Sequence, residues 1–196
     1  THRAPRRLRR ALVVALATAL VATVAVVTGD EPVAAAPREN VTNAPGPLGP
    51  ITVIGDSVML GSLIVNPDIN QRLAEQGWGP IRSRAGEGYS TGYFPVNNTY
   101  KASYWLSVWR SQGWDPGAVV VNFGANDVGL CQYKPEPLAD CAYNAIAHLV
   151  NAIGPGKRIW WPKITRFPLN RPSMDAWNAA LDRMAAERPD FFTWDW

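Results

Sequence analysis

Histidine is scarce in this chain: His2 and His148 are the only two among 196 residues. Cysteine is equally rare, with Cys131 and Cys141 alone. The first shortage weighs against serine chemistry, because a serine nucleophile usually takes a histidine as its base. The second argues against a zinc site, since two cysteines with no nearby histidine make a poor ligand set. Neither a metal nor an organic cofactor is indicated. An excess of positive charge is missing from the body of the chain as well. Residues 1–37 hold five arginines against Asp30 and Glu31, while the remaining 14 basic and 14 acidic residues cancel. The basic pI of about 9.0 is therefore a property of the leader, and a basic face for nucleic acid is not implied. There is no internal repeat.

A long apolar run occurs once. Ala11–Val27 contains seventeen uncharged, mostly apolar residues behind an arginine cluster, and Ala34–Ala36 follows as a small-residue pattern. That order is the layout of an export signal. Pro37 is unfavourable just after a cleavage point, and seventeen residues sit at the lower limit for a membrane span. Two readings of 1–37 therefore stand: a cleaved signal, or an uncleaved anchor contacting the membrane through residues 11–27, arginines inside. Both place the rest of the chain outside the cytoplasm. There, Cys131 and Cys141, which bracket "QYKPEPLAD", read as a disulfide closing a surface loop. Such a loop gains on the order of 2–3 kcal/mol from chain entropy. The alternative is a pair of reduced thiols in a cytosolic protein.

Residues 28–50 hold five prolines and three glycines, so 38–50 reads as a flexible linker. From Ile51 onward, strand-like and helix-like segments alternate. "ITVI", "IRSR", "AVVVNFG", "RIWWPKI" and "FFTWDW" read as strands. "DINQRLAEQG", "TYKASYWLSVWRSQG", "AYNAIAHLVNAIG" and "SMDAWNAALDRMAAE" read as helices, with Asp68 and Ser173 as N-caps. Alternation with short connections predicts an α/β sandwich around a mainly parallel sheet of about five strands. Sheets of this kind carry their functional groups at the carboxyl ends of the strands.

Three strand ends stand out. Gly55-Asp56-Ser57 follows the first strand: Ser57 is either a nucleophile at a helix N-terminus or part of an ordinary cap. "SRAGEGYSTG" follows the second: its glycines either turn backbone N–H groups toward a ligand or form a flexible loop. "FGANDVG" follows the third: Asn126 is either an amide donor to an oxyanion or a turn residue.

Taken together, "VIGDSVMLG", "AGEGYSTG" and "NFGANDVG" resemble the first three motifs of the SGNH (GDSL-type) hydrolase family, over roughly residues 51–196. The resemblance implies a three-layer α/β/α sandwich with a flavodoxin-like sheet. It also implies hydrolysis of acyl esters through an acyl-serine intermediate. Ser57 is then the nucleophile. The N–H groups of Ser57 and Gly86 and the side-chain amide of Asn126 form the oxyanion hole. Gly86 is preferred to Gly88 because the family's glycine usually follows a small residue. The substrate is an ester, with O-acyl groups on surface glycans or lipids as the class that suits export; oligomeric state is not legible.

The family's last motif, Asp-x-x-His, is not present in these residues. His2 lies in the leader. His148 falls on the helix face shared by Asn144 and Asn151 and reads as a surface residue. Asp195 has no histidine three residues on. The expectation is a piece of a longer hydrolase whose base lies beyond Trp196. Two rivals are an SGNH domain of a membrane acyltransferase that modifies surface glycans, and a non-catalytic glycan-binding remnant. The nine tryptophans read as packing residues or, for the glycan readings, as stacking faces.

Overall fold

The computed structural model describes residues 37–164 and 171–195. Residues 1–36 of the leader, residues 165–170 and Trp196 fall outside them. Six strands form one sheet: β1 (Arg38–Thr42), β2 (Ile51–Gly55), β3 (Ile81–Ala85), β4 (Ala118–Asn122), β5 (Arg158–Trp160) and β6 (Phe191–Phe192). Their order is β1-β3-β2-β4-β5-β6. All neighbours are parallel except β1 on β3. The five parallel strands thus have the flavodoxin-like winding, with its reversal between β2 and β4.

Six helices among the described residues cover the sheet: α1 (Ser57–Ile64), α2 (Ile69–Glu75), α3 (Ala102–Ser111), α4 (Ala125–Cys131), α5 (Leu138–Ile153) and α6 (Arg171–Glu187). The strands β2 and β4 are mostly apolar and buried along their whole length, as sheet centres covered on both faces require. Successive side chains point to opposite faces, and two cores result. Val53 and Val120 pack with Met59, Leu63, Ile69 and Leu73 of α1 and α2. Ile54, Val119 and Val121 pack with α3, α5 and α6. Ala142, Ala145, Ile146, Leu149 and Ile153, which recur at helical spacing along α5, form a stripe fully buried in this second core. Asp68 caps α2 through a complete capping box with Gln71. Ser173 is not a cap: α6 starts earlier, and Ser173 accepts a hydrogen bond from Gln132 Nε2 at 3.2 Å.

Residues 38–50 are part of the fold and not a flexible linker. "RENVT" carries no apolar run to read, because β1 is an edge strand whose Val41 stays 54% exposed. Backbone pairing to β3 and polar side chains hold it instead. Glu39 pairs with Arg82 at 2.8 Å and with Arg84 at 2.7 Å. Asn40 donates to Asp68 at 2.9 Å. Beyond β1, the N–H groups of Gly46 and Leu48 bond to the carbonyls of Gly79 and Gly77.

Cys131 and Cys141 are joined, ten residues apart in sequence. The bridge ties the end of α4 to α5, and both sulfur-bearing residues are buried in the larger core while the segment between them is mostly exposed. Replacing both with serine is expected to lower the melting temperature by about 5 °C or more, from a loop-closure term of about 2–3 kcal/mol. Thermal melts with and without reductant check this; a wild-type melt that reductant leaves unchanged counts against it.

Candidate active site

Register brings the three strand ends together. Gly55 stands beside Ala85 of β3 on one side and Asn122 of β4 on the other. Asp56 N–H continues the ladder onto the Asn122 carbonyl at 3.0 Å. The segments starting at Asp56, Gly86 and Phe123 therefore leave the sheet at one level, at the reversal of winding where such sheets bind ligands.

At the first segment, the residue that caps α1 is Asp56, not Ser57. Its Oδ1 accepts from Val58 N–H at 3.0 Å. Ser57 is thus the first helical residue, and its side chain is exposed. Its own N–H has no acceptor within the helix by construction. A hydroxyl and a free N–H meet at the positive end of the helix.

The second segment is ordered rather than flexible. Gly86–Tyr89 is a turn closed by Tyr89 N–H on the Gly86 carbonyl at 3.4 Å. Gly88 has φ +70° at its third position, which type II turns reserve for glycine. Gly86 has no such φ, but a Cβ there would lie 2.7 Å from the Tyr89 ring. The two glycines therefore answer different demands: conformation at Gly88, close approach at Gly86. The following residues are bonded to the start of α3: Ser90 N–H to the Tyr100 carbonyl at 2.9 Å, and Ala102 N–H to the Ser90 carbonyl at 2.9 Å.

The third segment continues from Phe123 to Gly124, whose φ of +138° and closeness to Trp177 exclude a side chain. It leads into α4, so Asn126 sits in the first turn of a short helix and is not a turn residue. Asn126 is half-buried, and its Nδ2 donates to the Tyr89 carbonyl at 2.8 Å. Asp127 is wholly buried and accepts from Thr91 twice, from Oγ1 at 2.7 Å and from N–H at 3.1 Å. Two adjacent residues of α4 thus grip the glycine loop. An amide has two hydrogens, so Asn126 keeps one beyond the Tyr89 bond.

Asp56 and Asp127 are both buried carboxyls. Burial, with a further push from Asp127, raises Asp56 from 3.8 to about 7 against the Val58 hydrogen bond. Its Oδ2 has no hydrogen-bond partner. Burial raises Asp127 to about 6 against the two bonds from Thr91. Below about pH 4, Asp56 is protonated in both folded and unfolded chains. Between about 4 and 7 only the unfolded chain has released the proton, so stability falls as pH rises through that window and levels off above it. Asp56→Asn preserves a capping oxygen and removes this titration. Its melting temperature is expected to exceed wild type by about 3 °C or more near pH 8. The advantage shrinks toward about pH 4. Melts across that range check it; a constant difference contradicts the assignment.

His148 is not brought to Ser57. It is exposed on α5, with Nε2 3.3 Å from Ser103 Oγ. Asp195 pairs with Lys163 at 3.4 Å, and Arg171 with Asp175 at 3.8 Å. Five tryptophans have their faces engaged within the protein. Trp109, Trp161 and Trp177 are buried, the Arg84 guanidinium lies 3.5 Å over Trp105, and Trp160 stacks on Phe192. Sequence reasoning gave no role to Tyr89, Thr91 or Asp127. The available signal was an acidic residue at 127 next to Val128, in a segment with no cation to pair it.

This arrangement supplies an exposed hydroxyl at a helix start, a close-approach glycine N–H and a half-buried amide, all fixed by backbone. It suits attack on a carbonyl with stabilisation of the resulting oxyanion. No protein-family model matches the chain, and no curated protein does. Solved structures do. The psychrotrophic esterase EstA from Pseudoalteromonas sp., inhibited by monoethylphosphonate, is similar with a TM-score of 0.53 at 17% identity, covering 75% of this chain and 76% of that one. A member of the lipolytic protein G-D-S-L family from Veillonella parvula gives 0.55 at 13% identity, over 75% and 77%. A family 2 carbohydrate esterase with a carbohydrate-binding domain, from Corynascus thermopiles (Myceliophthora fergusii), gives 0.50 at 22%, over 80% and 59%. At such identities the likeness is one of architecture, and the architecture is that of the SGNH (GDSL-type) hydrolases.

Proposed function

We propose that this protein is a serine esterase with Ser57 as nucleophile. The observation that carries the reading is the register of Gly55 with Ala85 and Asn122, which sets Ser57, Gly86 and Asn126 at neighbouring strand ends. Ser57 Oγ adds to the ester carbonyl carbon as its proton passes to a base. The carbonyl oxygen becomes an oxyanion facing the N–H groups of Ser57 and Gly86 and the free amide hydrogen of Asn126. Collapse expels the alcohol with a proton from the base and leaves an acyl-serine. Water then adds to the acyl carbon and releases the acid, restoring Ser57.

The base is a histidine other than the two present. His148 is held against Ser103, and His2 lies in the leader. The tests of this reading therefore use the full-length protein. The substrate is an acyl ester met outside the cytoplasm, with O-acyl groups of glycans or lipids as the class. The Cys131–Cys141 disulfide and the apolar run behind the arginines support that location. The engagement of Trp105, Trp109, Trp160, Trp161 and Trp177 within the protein weakens the binding-remnant alternative. Hydrolysis of short-chain acyl esters by the full-length protein, lost in Ser57→Ala, tests the reading; retained hydrolysis in that variant defeats it.

A further inference from the structure

We infer that Tyr89 is a positioning residue that sets the geometry of the oxyanion hole, an inference resting on the esterase reading above. Three parts of this residue touch the machinery. Its ring lies where a Gly86 side chain would project, 2.7 Å from that Cβ position. Its N–H closes the turn on the Gly86 carbonyl. Its carbonyl accepts the Asn126 amide at 2.8 Å and so turns the second amide hydrogen to a fixed direction. Both donors that do not belong to Ser57 therefore lean on one residue.

Tyr89 is in turn held from the sheet. It is 1% exposed, and its hydroxyl accepts from Arg84 Nε at 3.0 Å. Arg84 is stacked on Trp105 at 3.5 Å and bonded to Glu39 of β1 at 2.7 Å. Tyr100 packs edge-on against the ring, with centroids 6.0 Å apart. A chain of contacts thus runs from the edge strand β1 through Arg84 to the hole. Residues fixed on rigid elements in this way hold reacting geometry tightly, and a displacement of about 1 Å costs on the order of 10²-fold in rate.

The test uses full-length protein and a soluble acyl ester. Tyr89→Leu removes the ring wall and the hydroxyl but keeps bulk. It is expected to lose about 30- to 100-fold in kcat with KM changed less than about threefold. Tyr89→Phe restores the ring but not the bond from Arg84, and is expected to remain about three- to fivefold below wild type. Added to Asn126→Ala, either change is expected to cost less than it does alone, because one of the two donors it positions is already gone. If Tyr89→Leu does not fold, as judged by circular dichroism and melting, Tyr89→Phe decides. A kcat lowered about three- to fivefold, and lowered less by the same substitution in the Asn126→Ala background, supports the proposal. Wild-type kcat in the folded variant, a loss expressed in KM, or full additivity with Asn126→Ala overturns it. Full activity in Ser57→Ala is a separate outcome, which removes the esterase reading itself.

Discussion

Ser57→Ala in the full-length protein is expected to lower ester hydrolysis by at least about 10⁴-fold, with folding intact. The size follows from the role. Without Oγ no acyl-serine forms, and only oxyanion stabilisation and proximity act on a direct attack by water. Stability is spared because Ser57 is exposed and is not the cap of α1; that task belongs to Asp56, whose Oδ1 holds Val58 N–H at 3.0 Å. Had Ser57 been the cap, alanine would cost about 1 kcal/mol and lower the melt. The pair of measurements therefore separates the two readings of Gly-Asp-Ser: a lost rate with an unchanged melt marks a nucleophile, and a lowered melt with retained rate marks a cap.

Asn126→Ala is expected to cost about 10²- to 10³-fold in kcat, the usual price of one oxyanion donor. KM should change little, since the amide acts on charge that develops only in the transition state. The same substitution frees the Tyr89 carbonyl, which Asn126 binds at 2.8 Å. Asp127 limits the structural damage by keeping its two bonds to Thr91. The loss should thus appear in rate, with the melt lowered only modestly. Steady-state kinetics and melting of the same sample check both parts; a fall in kcat/KM carried by KM alone contradicts the assignment.

What the sequence reveals here divides along a physical line. Segments buried on both faces were legible. "AVVVNFG" and "ITVI" read as buried strands because burial demands a mostly apolar run, and they overlap β4 and β2. The α5 stripe was legible because its apolar positions recur at helical spacing. The edge strand was not, because "RENVT" is held by backbone pairing and by Glu39 to Arg82 and Arg84, none of which leaves an apolar pattern. The site shows the same split. Ser57, Gly86 and Asn126 could be picked out through motifs at strand ends. Their supports could not, since the bonds of Asn126 to Tyr89 and of Asp127 to Thr91 join residues 37 and 36 positions apart. Glycines that suggest looseness in "AGEGYSTG" serve a closed turn and a close contact. Asp56 and Ser57 are both good caps by type, and only the observed bond to Val58 tells which one acts.

The most direct test of the central claim is covalent. Full-length protein is treated with a fluorophosphonate, digested, and read by mass spectrometry. The account predicts a single phosphonyl adduct on Ser57, formed in step with loss of ester hydrolysis and absent from Ser57→Ala. An adduct on another residue, such as Ser103 beside His148, or ester hydrolysis that persists with no serine labelled, would contradict it.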